Sequence, residues 1–563
     1  MNNHIDDSHI DPDILHFLAL GGAEEFGCNF NLYAYRGKWL VMDCGMGFAD
    51  ERHPSIDILL PKPDFIEDRR KDIVGIVITH AHEDHIGALP YLWPRLGAPV
   101  YCSPFTAEVL RRKLREAPHA ADMPITEITP GNVFDLHPFS LEFLGVPHSI
   151  PEAMATLIHT DAGTVLHTGD WNLDPAPQIG EAIRAEAFKQ AGDQGILAYV
   201  GDSTNSQVEG RTPAETEVEV GLTNVFREQK NRIAVTTFSS NVGRIRSIAK
   251  AAEACGRSVA LVGRSLQNMV GAAFDCGYLD DVPDFVSEED IENIARENIV
   301  LIVTGSQGES RAALSRIARG EHRNLRLERN DTVIFSSREI PGNEREINAV
   351  INALMGSGVH VITSRSTKER IHVSGHPRRE ELKDMMGWVR PKIALPVHGE
   401  RMMTEAHAEL ALQCGVPYAL VPGNGRLVAL SEDGPEVIDH IETGFLGVEP
   451  KRLIETDSTA ISSRRKLQYA GVMFVTVALD ARCGLLEQPQ IFSLGLEEVG
   501  SEMEAELHED IRGEITDTLI DIDREDRDND HVVSEELRIV IRRMLTHIYG
   551  FKPHVVVHLV RGA

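Results

Sequence analysis

A chain of 563 residues, 42% of them hydrophobic and 25% charged, is too long for a single hydrophobic core and too apolar to be disordered. Its 56 Lys and Arg residues against 86 Asp and Glu residues give a formal charge of −30. That charge excludes a generally basic surface able to hold nucleic acid or an anionic membrane by long-range attraction. Any polyanionic substrate must therefore be bound locally.

The charge is unevenly distributed along the chain. Residues 501–536 contain 15 acidic residues and 3 arginines, a net charge of −12, whereas residues 365–401 contain 9 basic and 5 acidic residues, a net charge of +4. Charge runs usually form solvated surface. The basic segment, however, also carries two of the candidate motifs described below.

The seven cysteines are scattered and form no CxxC pair, so the sequence predicts neither a disulfide framework nor a thiolate zinc site. A reducing cytoplasm is the compartment that fits this pattern best. The N-terminus is acidic and polar, and no apolar run approaches the ~20 residues needed to cross a bilayer. We therefore expect no signal peptide and no membrane span.

Residues 14–214 alternate short apolar runs with glycine and aspartate, a pattern that predicts strands. Several runs end in His or Asp, at the point where a strand fixes the backbone and the following loop exposes the side chain. Segments 88–96 and 106–116 are predicted to be helices.

Residues 215–358 change to a regular alternation of strands and helices, which predicts a parallel sheet covered on both faces. Residues 359–449 return to the first pattern, so we predict a domain inserted into a host domain. The polar segment 450–466 has no hydrophobic period and is predicted to be a linker. Residues 467–563 predict a small α+β domain closed by a C-terminal strand.

The most informative motif is HAHEDH, which follows an apolar predicted strand. Its imidazoles and carboxylate, from His80, His82, Asp84 and His85, cannot all be satisfied cheaply in a core, yet they are ligands that zinc and manganese prefer. His80 and His82 can face one ion while Asp84 and His85 face a second. A surface histidine cluster is the alternative, which the strand–loop–helix context disfavours.

Two ions need more ligands, and other strand ends supply them. His148 and Asp170 follow apolar runs, and a carboxylate such as Asp170 can bridge two cations because each oxygen can bind one. Asp43 follows another run, where it can orient a ligand histidine through the ring nitrogen that the metal leaves free. Each residue alone is more often a turn or capping residue, but their order and context resemble the four successive motifs of the metallo-β-lactamase fold.

Later motifs narrow the resemblance. Asp202 in GDSTN, His376 in SGHP and His398 in PVHGE look like motifs A, B and C of the β-CASP nucleases, in which an extra domain interrupts the metallo-β-lactamase domain. Beyond its first dozen residues, the whole chain resembles the bacterial ribonuclease J family. The resemblance implies an α/β fold: an αββα sandwich interrupted by a β-CASP parallel-sheet domain and followed by the small α+β domain.

The resemblance also implies roles for these residues. His80, His82 and His148 would hold one divalent ion and Asp84, His85 and His398 another, with Asp170 as the bridge; the ions would be zinc, with manganese as the alternative. A hydroxide between the two ions would cut the phosphodiester and leave a 5′-phosphate.

The catalytic set that the resemblance implies is Asp84, Asp170 and the pair of His376 with Asp202. His376, kept protonated by Asp202, would donate a proton to the leaving 3′-oxygen. From the residues alone, a hydrogen-bonded loop histidine is an equally good interpretation of His376.

The implied substrate is single-stranded RNA, degraded from 5′-monophosphate ends in the 5′-to-3′ direction with additional endonuclease activity, in rRNA processing and mRNA decay. Basic residues flank SGHP, where they can neutralise phosphates locally. His372, Ser374 and Gly375 in HVSGH, with Ser306 in TGSQGE, are candidates for a 5′-phosphate pocket, since hydroxyl and backbone N–H groups at a turn suit a phosphate. Serine–glycine turns are more often only turns.

By the same resemblance the C-terminal domain assists formation of a homodimer or homotetramer. RNA-degradation proteins such as a helicase are candidate partners that the sequence does not identify. Two alternatives stay open. A DNA-processing β-CASP nuclease tends to have valine where this chain has His398, and a member that binds RNA without catalysis is disfavoured by the complete set of motif residues.

Overall fold

The computed structural model describes residues 10–562. The chain separates into two compact units. The first runs to Phe48 and resumes over Ile58–Phe445, and the second consists of Ala49–Asp57 and the chain from Leu446 onward. Among the helices of residues 10–562, none has the length and apolar character that a membrane span requires.

The first unit contains an eight-stranded mixed sheet, here the first sheet. Every residue of Leu15–Gly21 and Phe30–Tyr35 is buried, as expected of strands covered on both faces. Five strands at one side pair antiparallel, and three more add in parallel. The spatial order is Gly434–His440, Arg426–Ser431, Leu15–Gly21, Phe30–Tyr35, Lys38–Met42, Ile73–Val77, Val100–Cys102 and Ile125–Glu127.

A seven-stranded mixed sheet, here the second sheet, completes the sandwich. Four of its strands pair in parallel and three add antiparallel. The spatial order is Tyr418–Ala419, Ile393–Val397, Ala198–Asp202, Gly163–His167, Met154–Thr160, Phe139–Gly145 and Val133–Leu136.

The two sheets pack face to face over one shared core. Phe17 and Leu40 of the first sheet belong to the same buried cluster as Leu141 and Leu395 of the second. Three helices bury apolar side chains on the other face of the second sheet: Ala185–Gln194, Arg379–Val389 and Arg401–Gln413. The predicted metallo-β-lactamase type of sandwich is confirmed.

Shorter elements connect the strands of the first sheet. The strand Gly47–Phe48 pairs antiparallel with Ile58–Pro61. The helices are Asp64–Glu67, Glu83–Ile86, Leu89–Leu96 and Pro104–Leu114, with 3₁₀ turns at Arg70–Asp72 and Pro118–Ala120. The last two α-helices lie close to the two helical segments predicted from the sequence.

The inserted sheet is five-stranded and entirely parallel. Its spatial order is Ser258–Val262, Ile299–Val303, Ile233–Thr236, Thr332–Phe335 and His360–Ile362. Its α-helices are Glu215–Glu228, Val242–Ala254, Arg264–Asp275, Ala313–Ala318 and Glu344–Gly356, with 3₁₀ turns at Glu288–Asn293 and Arg296–Asn298. Alternate strand residues face opposite ways, so Leu301 joins one core while its neighbour Ile302 is buried on the other side.

One topological expectation needs correction. The segment after residue 358 was predicted to return at once to the host domain, but the strand His360–Ile362 pairs in parallel with Thr332–Phe335 of the inserted sheet. Its apolar run is equally suited to either sheet, so local pattern could not assign it. The chain rejoins the sandwich with the helix Arg379–Val389, which packs on the second sheet, and continues into that sheet with the strand Ile393–Val397.

The second unit is an α+β arrangement, as the sequence predicted. Its three-stranded sheet has the order Gln490–Leu494, Val472–Leu479, His554–Arg561, and the last of these is the expected closing strand. The acidic helix Glu502–Asp521 and the helix Asp530–Tyr549 cover one face. Each buries one residue in four: Leu507, Ile511, Ile515 and Leu519 in the first, and Val533, Leu537, Ile541 and Leu545 in the second.

The predicted linker is ordered. Within residues 450–466, the strand Arg452–Glu455 pairs with Phe445–Glu449, and the helix Thr459–Ala470 begins. Ser458 caps that helix by accepting a hydrogen bond from the backbone N–H of Ile461. Only Ile461 of the helix is buried, so the segment lacked the apolar period that would have marked it as a helix.

Candidate metal centre and active site

The candidate ligand and catalytic side chains lie at the ends of neighbouring strands. In the first sheet, Lys38–Met42 and Ile73–Val77 are parallel neighbours, and Asp43 and the HAHEDH motif follow them. In the second sheet, Gly163–His167, Ala198–Asp202 and Ile393–Val397 are also parallel neighbours. Asp170 follows the first of these strands, Asp202 ends the second, and His398 follows the third. Strand Phe139–Gly145 runs in the same direction, because two antiparallel pairings separate it from Gly163–His167, and His148 follows it.

The residues expected to bind metal fall into two groups that share Asp170. Within each group, one nitrogen or carboxylate oxygen from every member lies within 4.8 Å of the others. The first group is His80, His82, His148 and Asp170, and the second is Asp84, His85, Asp170 and His398. The structure therefore brings together all seven residues that the sequence singled out as metal ligands.

Asp170 lies at the centre of both groups. Its Oδ2 atom is 3.0 Å from His398 Nε2 and 3.4 Å from His85 Nε2. The same oxygen is 3.7 Å from Nε2 of both His80 and His148. Its other oxygen, Oδ1, is buried without a hydrogen-bond partner among the residues described, so this carboxylate has capacity for a further positive group.

Hydrogen bonds behind the ligands fix their orientation. His85 Nδ1 donates to Asp43 Oδ2 at 2.8 Å, which leaves Nε2 facing the cluster. Thr79 donates its backbone N–H and its hydroxyl to Asp43, and the same hydroxyl lies 3.0 Å from His80 Nδ1. Asp43 thus occupies the orienting position that the sequence predicted for it.

The backbone around the cluster is unusual. Asp43 and His398 adopt positive φ angles of 63° and 54°, a region that non-glycine residues rarely occupy and that often marks functional sites. Gly45 lies directly against the HAHEDH loop. A Cβ atom at this position would lie 1.5 Å from the Asp84 carbonyl oxygen, so only glycine allows this close approach. That carbonyl accepts hydrogen bonds from the backbone N–H and the side-chain amide of Asn29.

The imidazoles of the two groups differ in protonation. Burial lowers the pKa of His82 to about 3 and that of His148 to about 4, and it lowers the pKa of His80 as well. Burial acts in the same direction on His85 and His398, but neighbouring carboxylates, chiefly Asp170, outweigh it. They raise the pKa of His85 and bring that of His398 to about 10.

These properties fit divalent metal ions. Without a cation, the buried Asp170 and the partly exposed Asp84 obtain positive charge from nearby histidines such as His85 and His398, and the first group holds three neutral imidazoles with nitrogens as close as 2.9 Å (His80 to His82). Neutral imidazole nitrogens and carboxylate oxygens in a closed cluster are the donor set that zinc and manganese bind. The unpartnered Asp170 Oδ1 adds to that fit.

The third group consists of Asp170, Asp202 and His376. His376 Nδ1 donates to Asp202 Oδ2 at 2.7 Å, and the other Asp202 oxygen accepts the backbone N–H of Thr204. Burial would lower the pKa of His376, but Asp202 outweighs burial and raises it. The pair expected from the sequence is therefore formed, with His376 still 22% exposed.

The SGHP segment is attached directly to the cluster. The Gly375 carbonyl accepts hydrogen bonds from His148 Nδ1 at 2.8 Å and from Asn172 Nδ2 at 3.2 Å. A Cβ atom on Gly375 would lie 2.8 Å from the His148 ring, so only glycine allows this approach. Ser374 lies beside it and accepts from Asn205 Nδ2 at 2.9 Å.

His372 presents a buried donor. Arg244 donates from Nη1 to His372 Nδ1 at 3.0 Å, so the remaining ring hydrogen must be on Nε2 in the neutral imidazole. Burial, together with Arg244, keeps the pKa of His372 well below its ordinary value. Its Nε2 is buried without a hydrogen-bond partner in the described part of the chain.

Ser306 is buried in the loop after Ile299–Val303, and none of the hydrogen bonds found in residues 10–562 joins it to Ser374 or Gly375. The neighbouring Gln307 makes the connection instead. It donates to the Arg338 carbonyl at 2.9 Å, and the Arg338 guanidinium donates to Asn205, the partner of Ser374.

Asn205 and Arg338 were missed by the sequence analysis. Asn205 lies in the same GDSTN motif as Asp202, so its position in the sequence could have identified it as a candidate. Arg338 had no local signal, because only tertiary structure brings it to Asn205.

The basic segment 365–401 is less available than its charge suggested. Six cations flank SGHP: Arg365, Lys368, Arg370, Arg378, Arg379 and Lys383. Four of them form ion pairs: Arg365 with Glu339, Arg370 with Glu217, Arg379 with Glu209 and Lys383 with Glu380. Their carboxylate partners come mostly from distant parts of the chain. A phosphate would have to replace these carboxylates.

Four family models match the chain. The metallo-beta-lactamase superfamily matches residues 23–180, and the beta-CASP domain of ribonuclease J matches residues 230–354. A Zn-dependent metallo-hydrolase RNA specificity domain matches residues 362–418, and the ribonuclease J C-terminal domain matches residues 459–562.

Relatives match over nearly the full length. A ribonuclease J of Sinorhizobium meliloti is 42% identical over 97% of both chains, and one of Mycolicibacterium smegmatis is 38% identical over 90% of this chain and 92% of its own. A solved protein of unknown function from Enterococcus faecalis shares the fold, with a TM-score of 0.53, 16% identity, and coverage of 74% of this chain and all of that one. The chain therefore belongs to the ribonuclease J family of metal-dependent ribonucleases.

Proposed function

We propose that this ribonuclease degrades single-stranded RNA from its 5′ end, prefers a 5′-monophosphate, and also cleaves internally, in the cytoplasmic maturation and decay of rRNA and mRNA. The observation that carries the proposal is the attachment of the SGHP segment to the metal cluster. Gly375 binds His148 on one side, and the next residue, His376, is paired with Asp202. A proton donor and a candidate phosphate pocket therefore adjoin the same cluster.

We assign one divalent ion to His80, His82 and His148, a second to Asp84, His85 and His398, and a bridging position to Asp170. Zinc is our first choice and manganese the alternative, since mixed nitrogen and oxygen donors suit both. When bound, such ions acidify water and offset the negative charge that develops on the phosphate. Asp43 and Thr79 keep the ligand rings in place through their hydrogen bonds.

We assign the proton transfer to His376. The oxygen of a water molecule bonds to phosphorus while that water releases one proton to solvent, the bond from phosphorus to O3′ breaks, and O3′ takes a proton from Nε2 of His376. His376 is reprotonated from solvent before the next cycle. Asp202 accepts the Nδ1–H throughout and stabilises the imidazolium before transfer. The products are a 3′-hydroxyl and a new 5′-phosphate, so each cycle leaves the end that the next cycle would recognise.

We assign recognition of the 5′-phosphate to His372, Ser374 and Gly375, together with Ser306. The buried Nε2–H of His372 supports this choice, because an unpartnered buried donor is costly unless a ligand oxygen accepts from it. Asn205, from the GDSTN motif of the host domain, donates to Ser374, and Arg338 of the inserted domain donates to Asn205.

A homodimer or homotetramer and a helicase partner complete the proposal. The C-terminal sheet leaves the cross-strand neighbours Phe474 and Phe492 about half exposed, at 43% and 54%, and a surface of this kind is suited to pairing with a second copy. All seven cysteines are free thiols, which suits a reducing compartment.

One assay tests the reaction. A single RNA sequence is prepared with a 5′-monophosphate, triphosphate or hydroxyl end, and products are resolved by length with zinc or manganese added. We expect mononucleotides from the monophosphate RNA first, with short internal fragments as a minor product. A DNA strand of the same sequence is the control; equal turnover of DNA, or degradation from the 3′ end, would contradict the proposal.

A further inference from the structure

The second unit contains a basic groove that the catalytic proposal does not use. It is a cavity of about 670 Å³ between the C-terminal half of helix Thr459–Ala470, the middle of helix Asp530–Tyr549 and the start of the last strand. Five of its lining residues are cations and none is a carboxylate: Arg465, Lys466, Arg538, Arg542 and Lys552. The groove is therefore locally positive in a chain whose formal charge is −30.

Most of these cations are free. Arg538 forms a bidentate pair with Glu535, at 2.7 and 2.9 Å. Arg465, Lys466, Arg542 and Lys552 are exposed, and no ion pair or side-chain hydrogen bond joins them to any residue between 10 and 562. The cations around SGHP are different, because most of them form ion pairs with carboxylates.

An aromatic ring is placed among the cations. Tyr469 lines the groove and is 66% exposed, three residues after Lys466 on the same helix and therefore on the same face. Exposed rings between free cations are the arrangement that single-stranded nucleic acid uses, with phosphates on the cations and bases stacked on the ring.

We propose that this groove is an accessory binding site for single-stranded RNA, separate from the catalytic cluster. The inference rests on RNA being the substrate, and it assigns to the C-terminal unit a contact with RNA beyond the nucleotides being cleaved. An acidic peptide is the competing occupant. Its carboxylates would pair with the cations equally well, but an acidic peptide would leave the exposed ring of Tyr469 without a stacking partner.

The first test compares two double variants of the full-length, metal-loaded enzyme. Arg542→Ala/Lys552→Ala removes two free cations from the groove, and the matched control Arg524→Ala/Arg543→Ala removes two exposed cations from the same unit outside it. Turnover is measured on monophosphorylated RNAs of about 30 and about five nucleotides, the shorter lying near the lower limit of single-strand site sizes.

For the long RNA, we expect the groove variant to raise KM about tenfold with kcat unchanged, and to reduce the salt slope of log KM by about 1.4, since each lost phosphate contact removes about 0.7. The short RNA and the control should show neither effect. Equal effects of the two variants on the long RNA would overturn the proposal. So would a loss of oligomeric mass in the groove variant with unchanged KM, which would assign the groove to an acidic segment of a second copy.

The second test is direct. RNA carrying 4-thiouridine is irradiated with the enzyme, and the crosslinked peptides are identified by mass spectrometry. We expect a crosslink at Tyr469, and the Tyr469→Ala variant should lose it while raising KM for long RNA at least about fivefold, the lower end of a base–aromatic stack. Crosslinks confined to the first unit would overturn the inference. This readout needs no turnover, so it stays decisive if the proposed cleavage reaction is wrong.

Discussion

The catalytic cluster and the C-terminal groove both concentrate charge, but they hold it in opposite ways. In the cluster, each of three histidines is hydrogen-bonded to a buried carboxylate: His85 to Asp43, His398 to Asp170 and His376 to Asp202. In the groove, four cations have no partner among the described residues and are exposed to solvent. Fixed, buried charges suit chemistry, which depends on position, whereas free surface charges suit affinity, which depends on salt.

The largest effect should come from removing the shared carboxylate. Asp170→Asn takes away the charge that four histidine nitrogens face, so both ions should be lost and RNA hydrolysis should fall at least about 10⁴-fold, as for residues that act as one unit. Activity and metal content by mass spectrometry are the measurements. The buried but unrelated Asp331→Asn is the matched control and should keep its metals. Retained metal in Asp170→Asn would refute the bridging assignment.

The next effect should come from the proton donor. His376→Ala should lower kcat about 10²- to 10⁴-fold, the usual contribution of a general acid, with metal content unchanged. An RNA with a 3′-bridging sulfur at the cleaved bond tests the role itself, because a thiolate leaves without a proton. That substrate should recover most of the lost rate in the variant, and a variant equally slow on both substrates would show that His376 has another role.

A smaller effect is expected from Asp43, which is hydrogen-bonded to the candidate ligand His85. Asp43→Asn keeps the size of the side chain but weakens the hydrogen bonds to His85 and Thr79, so metal affinity should fall about 10- to 100-fold. Activity is titrated against buffered free zinc or manganese. Excess metal should restore kcat, and a variant that binds metal normally but stays inactive would move Asp43 into the chemistry.

The smallest effect concerns the groove. Glu535→Gln frees Arg538 from its only ion pair in the described structure, which should tighten binding of long RNA about two- to threefold at about 50 mM salt and much less at about 200 mM. Binding is measured by fluorescence anisotropy at both salt concentrations. Glu502→Gln, which removes one exposed acid from the acidic helix, is the control, and an equal gain there would mean that only net charge matters.

The sequence predicted the residues of the candidate metal site far better than it predicted which cations remain unpaired in the folded protein. The ligands end strands, and strand ends are visible as apolar runs that finish in His or Asp, so His80, His148 and Asp170 could be identified one by one. The division of the HAHEDH residues between two ions could also be predicted locally. The allocation of His148 and His398 to those ions, and the pairing of Asp202 with His376 across 174 positions, came from the resemblance, because no local pattern encodes a contact at that distance.

Charge counts failed for a different physical reason. The segment 365–401 was counted as positive, but its carboxylate partners lie in other segments, such as Glu217 and Glu339. The groove escaped notice because its cations are divided among three separate segments, one of which directly follows the acidic run 501–536. A window along the chain reports net charge, whereas binding depends on which charges are left unpaired after folding.

The bond between the Gly375 carbonyl and His148 also has a consequence for synthesis. It joins residues 227 positions apart, and the second metal group needs His398 as well. A chain leaving the ribosome displays His80, His82 and His148 early, since domains form from the N-terminus onward, but it has neither its proton donor nor its complete ligand set until about residue 400 has emerged. The proposed assignments therefore predict that the nascent chain is inactive beside the messenger RNA that encodes it, and that activity appears only when most of that message has been translated.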